Sequence, residues 1–148
     1  MGEDAKVLIE FIKQEWEQER QIENLRATIT NWVIVLTVAI IGLIVDRGLS
    51  RMTLPLAVLL MVVGVYGMLA SMKLYERFLL HTARVREWRK RVDQLHPDAQ
   101  LLKLRQAAHE EHAIKHPRLV RLRLHTIWNW LQFLVFLAGV GLTIAAVL

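Results

Sequence analysis

The chain has 148 residues, 54% of them apolar, a mean hydropathy of +0.31 and a net charge of +5. Soluble domains run about 45–50% apolar without long uncharged stretches, whereas here the charge is gathered into two blocks that leave three segments bare. A membrane protein of one domain and few spans is expected, and with no cysteine there is no disulfide framework, thiolate metal site, thiol nucleophile or palmitoylation site.

Residues 1–28 hold seven Asp and Glu against four Lys and Arg, a charge of 4 − 7 = −3. Leu8, Phe11, Ile12, Trp16, Ile22, Leu25 and Ile29 recur at helical spacing, interrupted by the charged run from Glu15 to Arg20. That pattern predicts an amphipathic helix leading into the membrane. Its acidity and the late start of the first span are unlike a secretory signal peptide. Lys6 stands where a myristoylated Met-Gly opening needs Ser or Thr.

Three uncharged segments come next along the chain: 17 residues from Ile29 to Val45, 20 from Thr53 to Met72 and 23 from Thr126 to Leu148. Each suits a crossing of about 30 Å of hydrocarbon. The first two make a two-span hairpin over residues 29–72, joined by a short loop from Asp46 to Thr53. Pro55 falls in the first turn of the second helix, where its missing N–H costs little.

The second span does not stop at the membrane surface. Ala57, Leu60, Gly64, Gly67, Ser71, Leu74, Phe78, His81, Val85, Trp88, Val92 and Leu95 succeed one another in unbroken steps of three and four, which predicts a single helix from Leu54 to Leu95. The stripe is small-sided in the bilayer, where close backbone approach drives association, and larger in water, where the hydrophobic effect does. It is expected to join subunits into a homo-oligomer through Ala57, Gly64, Gly67, Ser71, Leu74, Phe78, Val85, Trp88 and Val92. Packing against the chain's own first helix is the competing use. His81 is its one ionisable position and reads as a packed polar spacer before it reads as a pH switch.

His96-Pro97-Asp98 breaks the helix, because the residue before proline is pushed out of the α region and Asp98 can cap the next helix. That helix is predicted from about Ala99 to Lys115, ending at Pro117. Residues 73–125 thus form a basic helical hairpin of charge 13 − 6 = +7, opposite in sign to the N-terminal block, and mutual docking of the two is expected. The third span, residues 126–148, closes the chain.

Lys and Arg number 4 before the first span, 2 in the hairpin loop and 13 between the second and third spans. The positive-inside rule places the N-terminus and the basic hairpin in the cytoplasm and Leu148 outside, with Trp32, Trp128 and Trp130 as an aromatic belt at the inner interface.

Chemistry is sparse. His109, His112 and His116 share a helix face at i, i+3 and i+7, yet Ala113 occupies the place of the second histidine in H-E-x-x-H. Metal binding is therefore not expected, and no cofactor is implied. Arg105 with His109, and Arg121 with His125, show an Arg-x-x-x-His spacing loosely like that of helical ribonucleases, which so basic a segment also produces by chance. Arg84, Arg86, Arg89, Lys90 and Arg91 are candidates for an anionic ligand or partner. Without interleaved aromatics they do not read as a nucleic-acid surface, and anionic headgroups are a plainer use. No phosphate loop, nucleophile elbow or intramembrane charge is present, so enzymes, proton relays and coupled transporters are disfavoured.

Tyr66-Gly67, the run Lys73-Leu74-Tyr75-Glu76-Arg77-Phe78 with His81, and Arg121-Leu122-Arg123-Leu124-His125 before Trp128 are the stretches that prompt a family likeness, which covers the layout of the first 95 residues. In that layout the chain resembles small bacterial inner-membrane proteins of the SLATT type and other two-span effectors of antiphage nucleotide-signalling systems. The third span departs from that pattern. The resemblance implies a bacterial inner-membrane protein that oligomerises and permeabilises the membrane when triggered, and it transfers no site residues. The sequence thus leads to an all-α, non-enzymatic, homo-oligomeric pore or membrane-disrupting effector. The alternative is a membrane anchor or scaffold that presents its basic hairpin to a soluble partner.

Overall fold

The computed structural model describes residues 3–148, and the Met1-Gly2 opening lies outside them. Among the described residues there is no strand. Four α-helices occur in order: α1 (Glu3–Arg47), α2 (Leu54–Leu95), α3 (Leu101–Lys115) and α4 (Leu124–Val147), with 3₁₀ turns at Arg51–Thr53 and Pro97–Ala99. Stretches of α1, α2 and α4 are long and apolar enough to cross a membrane.

The helix ends have local causes. α1 stops at Arg47 because Gly48 adopts φ +76, the left-handed state that glycine enters without steric cost. The α1–α2 turn is then closed on itself: the Ser50 N–H donates to Thr53 Oγ1 at 3.1 Å, and that hydroxyl donates back to the Ser50 carbonyl at 2.8 Å. α2 runs without interruption through all twelve stripe positions, as their spacing predicts.

α3 begins two residues later than expected, and its cap is not Asp98. Asp93, still on α2, accepts hydrogen bonds from the N–H groups of Leu101 (2.7 Å) and Leu102 (3.0 Å). One carboxylate thus satisfies two of the orphan donors at a helix start. Gln100 makes the turn possible by adopting φ 45, ψ 39, the sole non-glycine residue in the left-handed region among those described.

The helices form two compact units. In residues 24–75 with 124–148, the apolar centre is Val33, Ile40 and Ile44 of α1, Leu60 of α2 and Val135 of α4, flanked by Ile29, Ile41, Leu56, Val63, Ala138 and Leu142. In residues 3–23 with 76–123, the buried apolar residues are Ala5, Ile22, Val85 and Val92. Here α1 presents Ala5, Leu8, Ile12, Glu15, Glu19 and Ile22 inward, again at steps of three and four. Phe11 and Trp16, expected on that face, are 44% and 55% exposed. The inward face includes two glutamates because α2 supplies them with partners.

Candidate functional site

The α2 stripe is the first candidate surface, and the structure closes it within the chain. Ala57, Gly64, Gly67, Ser71, Val85 and Val92 are buried, and Leu74, Phe78 and Trp88 are half-buried. In the unit of residues 24–75 and 124–148, α4 supplies the cover. A Cβ on Gly64 would lie 2.6 Å from the Phe136 backbone nitrogen, and one on Gly67 2.6 Å from Gln132 Cδ. Reciprocally, a Cβ on Gly139 would lie 2.7 Å from the Met61 nitrogen and 3.0 Å from the Ala57 carbonyl oxygen. The two helices run antiparallel with glycine on both sides of the contact, the close approach that favours association between helices in lipid. Within one chain, Ala57, Gly64 and Gly67 thus face the third span, while Trp88, in the unit of residues 3–23 and 76–123, meets Phe11 of α1.

The same unit carries polar groups on its interior. Gln132, fully buried, donates from Nε2 to Thr30 Oγ1 at 3.4 Å. Thr143 donates to the Gly139 carbonyl at 2.8 Å and lies 3.7 Å from Met61 Sδ. Arg26 sits beneath two rings, 5.8 Å from the Tyr75 centroid and 5.3 Å from that of Trp128, and Tyr75 stacks on His125 at 4.0 Å. Trp128, expected in a lipid-facing belt, thus serves a cation–π contact, while Trp32 and Trp130 are exposed as a belt requires.

In the other unit, α1 docks on α2 through charge. His81 Nδ1 pairs with Glu15 Oε2, whose second oxygen lies 3.6 Å from Arg84 Nη1. The Glu15 and His81 side chains are only 12% and 16% exposed. Thr82 Oγ1 donates to Glu19 Oε1 at 2.8 Å. Phe11 lies 5.4 Å from Trp88, and the Arg89 guanidinium rests 5.6 Å from the Trp16 ring centre. The docking expected from the opposite charges of the two blocks is present at Glu15, which pairs with His81 and Arg84, while Glu19 accepts from the neutral Thr82.

The basic cluster does not form one patch. At 3.6 residues per turn, Arg84 and Arg91 fall on one side of α2, and Arg86, Arg89 and Lys90 on the other. Arg84 faces Glu15, and Arg91 donates to Gln94 at 3.1 Å. Arg89 turns toward α3, where burial and the neighbouring Arg105 charge lower its pKa, against an opposing effect from Glu19.

Clefts open beside these contacts among the described residues. One of about 560 Å³ is lined by Lys13, Trp16, Glu17, Glu19, Arg20, Glu23 and Phe78. A second, of about 390 Å³, is lined by Trp16, Glu19, Phe78, Thr82, Val85, Arg89 and Arg105. A third, also about 390 Å³, lies between Arg86, Leu102, Arg105, Gln106 and His109.

Of the three histidines, His112 and His116 approach each other with ring centres 4.9 Å apart, whereas His109 turns to the cleft with Arg86. Among the described residues no three His, Cys, Asp or Glu side chains converge on one point.

The sequence does not single out Asp93, and it marks Arg105 only through its spacing to His109. The opposite charge of the two blocks points to the acidic positions of α1, and extending the period Ala5, Leu8, Ile12 through charged residues picks Glu15 and Glu19 among them. Comparison with known proteins finds no matching family model, curated protein or solved structure.

Proposed function

We propose that the protein is a non-enzymatic membrane anchor. In this reading the spans sit in the bacterial inner membrane, with residues 3–23 and 76–123 in the cytoplasm under the positive-inside rule, as a helical hairpin docked on an amphipathic N-terminal helix. The hairpin presents α3 to a soluble, acidic partner. One contrast carries the proposal: α2 is covered by its own chain along the stripe, while α3 buries none of its 15 residues. α3 leaves Leu104 and Ile114 63% and 80% exposed, within a segment of charge 13 − 6 = +7. A pore assembled along the α2 stripe would first have to displace α4 from Gly64 and Gly139.

Two measurements test this. Photo-crosslinkers at Leu104 and Ile114 in cells should trap a soluble acidic protein, and purified protein in vesicles should leave an entrapped dye in place. Dye release with crosslinks only to further copies of the chain would overturn the anchor in favour of a self-assembling effector. Orientation is read by cysteines at Ser50 and Gln106, of which only the first should react with an impermeant thiol reagent from outside.

A further inference from the structure

The clefts beside α3 hold more positive charge than the protein neutralises. Arg86 and Arg89 lie three residues apart on α2, and Arg105 and His109 four apart on α3, so each pair shares a helix face. Arg105 lines both clefts, one with Arg86, Leu102, Gln106 and His109 and the other with Arg89, Thr82 and Trp16. Among the described residues no carboxylate lies within ion-pair distance of Arg86, Arg89 or Arg105. The acid that lines the Arg89 cleft, Glu19, accepts from Thr82.

We infer that Arg86, Arg89, Arg105 and His109 bind a soluble, phosphate-bearing anion between α2 and α3. Guanidinium groups present paired N–H donors that match phosphate oxygens two at a time, and three of them around one helix interface offer sites for more than one phosphoryl group. Crowding of Arg89 by Arg105, which lowers the Arg89 pKa after burial does, is the repulsion an anion relieves. Thr82 and Gln106 line the clefts as further polar groups, Gln106 held by Glu110 at 2.9 Å. A phospholipid headgroup would offer the same chemistry. Arg86 is 14 residues and Arg89 17 residues beyond Met72, the last residue of the uncharged segment, which favours a soluble source. The site goes beyond the anchor reading and stands whether or not α3 meets a protein partner.

The test is calorimetric titration of the full chain, in nanodiscs of neutral lipid, with inorganic tripolyphosphate. Saturable binding of one tripolyphosphate per chain is expected. Arg105→Gln should weaken it at least tenfold and His109→Gln several-fold, with helicity unchanged in both. Arg118→Gln combined with Arg121→Gln removes more charge from the same segment and should weaken binding less than threefold. Equal loss in that double variant, or wild-type affinity in Arg105→Gln, would overturn the site. Exchanging the neutral lipid for phosphatidylglycerol should leave tripolyphosphate binding intact. Its suppression in the anionic discs would overturn the soluble source and assign the arginines to lipid.

Discussion

The two units of this chain solve helix packing with different means. In residues 24–75 and 124–148, α2 and α4 meet through Gly64, Gly67 and Gly139, where backbone approaches within van der Waals contact. In residues 3–23 and 76–123, α1 and α2 meet through Glu15, His81, Arg84, Glu19 and Thr82. On the proposed placement of the first unit in lipid and the second in water, the difference follows from the solvent of each. Lipid offers no hydrophobic drive between apolar helices, so only close packing and internal hydrogen bonds distinguish one partner from another. Water supplies that drive but also competes for every polar group, so charges on an inward face need named partners. One stripe of three-four spacing on α2 serves both regimes by changing its residues.

The largest effect should come from the glycine contact. Gly64→Ala places its methyl against the Phe136 backbone, which has no rotamer to yield, and should cost about 1–3 kcal/mol in SDS-titrated unfolding. Gly67→Ala meets the end of the Gln132 side chain instead and should cost less. Gly141→Ala has nothing within 4 Å and should stay within about 0.5 kcal/mol. Equal responses at all three would break the claim that α2 and α4 are locked at Gly64.

Charge docking should rank next. Glu15→Ala leaves His81 and Arg84 without their acceptor and should cost about 1–3 kcal/mol, read as faster amide exchange over residues 76–92. Glycine-contact residues 57–67 should keep their protection. Loss of protection in both segments would show that the two packing schemes are not separable.

The α3 start should respond more weakly. Asp93→Ala removes the acceptor for the Leu101 and Leu102 N–H groups and should cost about 1 kcal/mol, seen as exchange confined to the first turn of α3. Gln100→Gly has the opposite sign. The left-handed backbone there suits glycine, and a gain of a few tenths of a kcal/mol is expected, the gain at the turn exceeding the added freedom of the unfolded chain. Destabilisation by Gln100→Gly would mean that its side chain, not its backbone, holds the turn.

Periodicity made the helices legible, and it left their partners undetermined. The stripe from Ala57 to Leu95 predicts α2 to the residue, because uninterrupted three-four spacing suits one structure. It is silent on which helix covers it, since Gly64 accepts any close neighbour: α4 lies against Gly64 and Gly67, and α1 approaches the stripe at Trp88. On α1 the apolar reading chose Phe11 and Trp16 over Glu15 and Glu19 for the inward face. Apolar periodicity is blind to the charge asymmetry of the two blocks, and it is His81, Arg84 and Thr82 opposite that turn Glu15 and Glu19 inward. The basic run 84–91 was legible as composition only, because it winds around α2, and Arg105 joins it from a segment that begins after a chain reversal at Gln100.

The central claim is that the third span, and not a second molecule, completes the second. Cysteines at Met61 and Thr143 test it directly, because these side chains touch across α2 and α4 and the chain has no cysteine of its own. Oxidation in the membrane should give a disulfide-linked single chain that runs as a monomer on a non-reducing gel and shifts on reduction. A disulfide-linked dimer as the main product would contradict the account and return the stripe to an interface between copies.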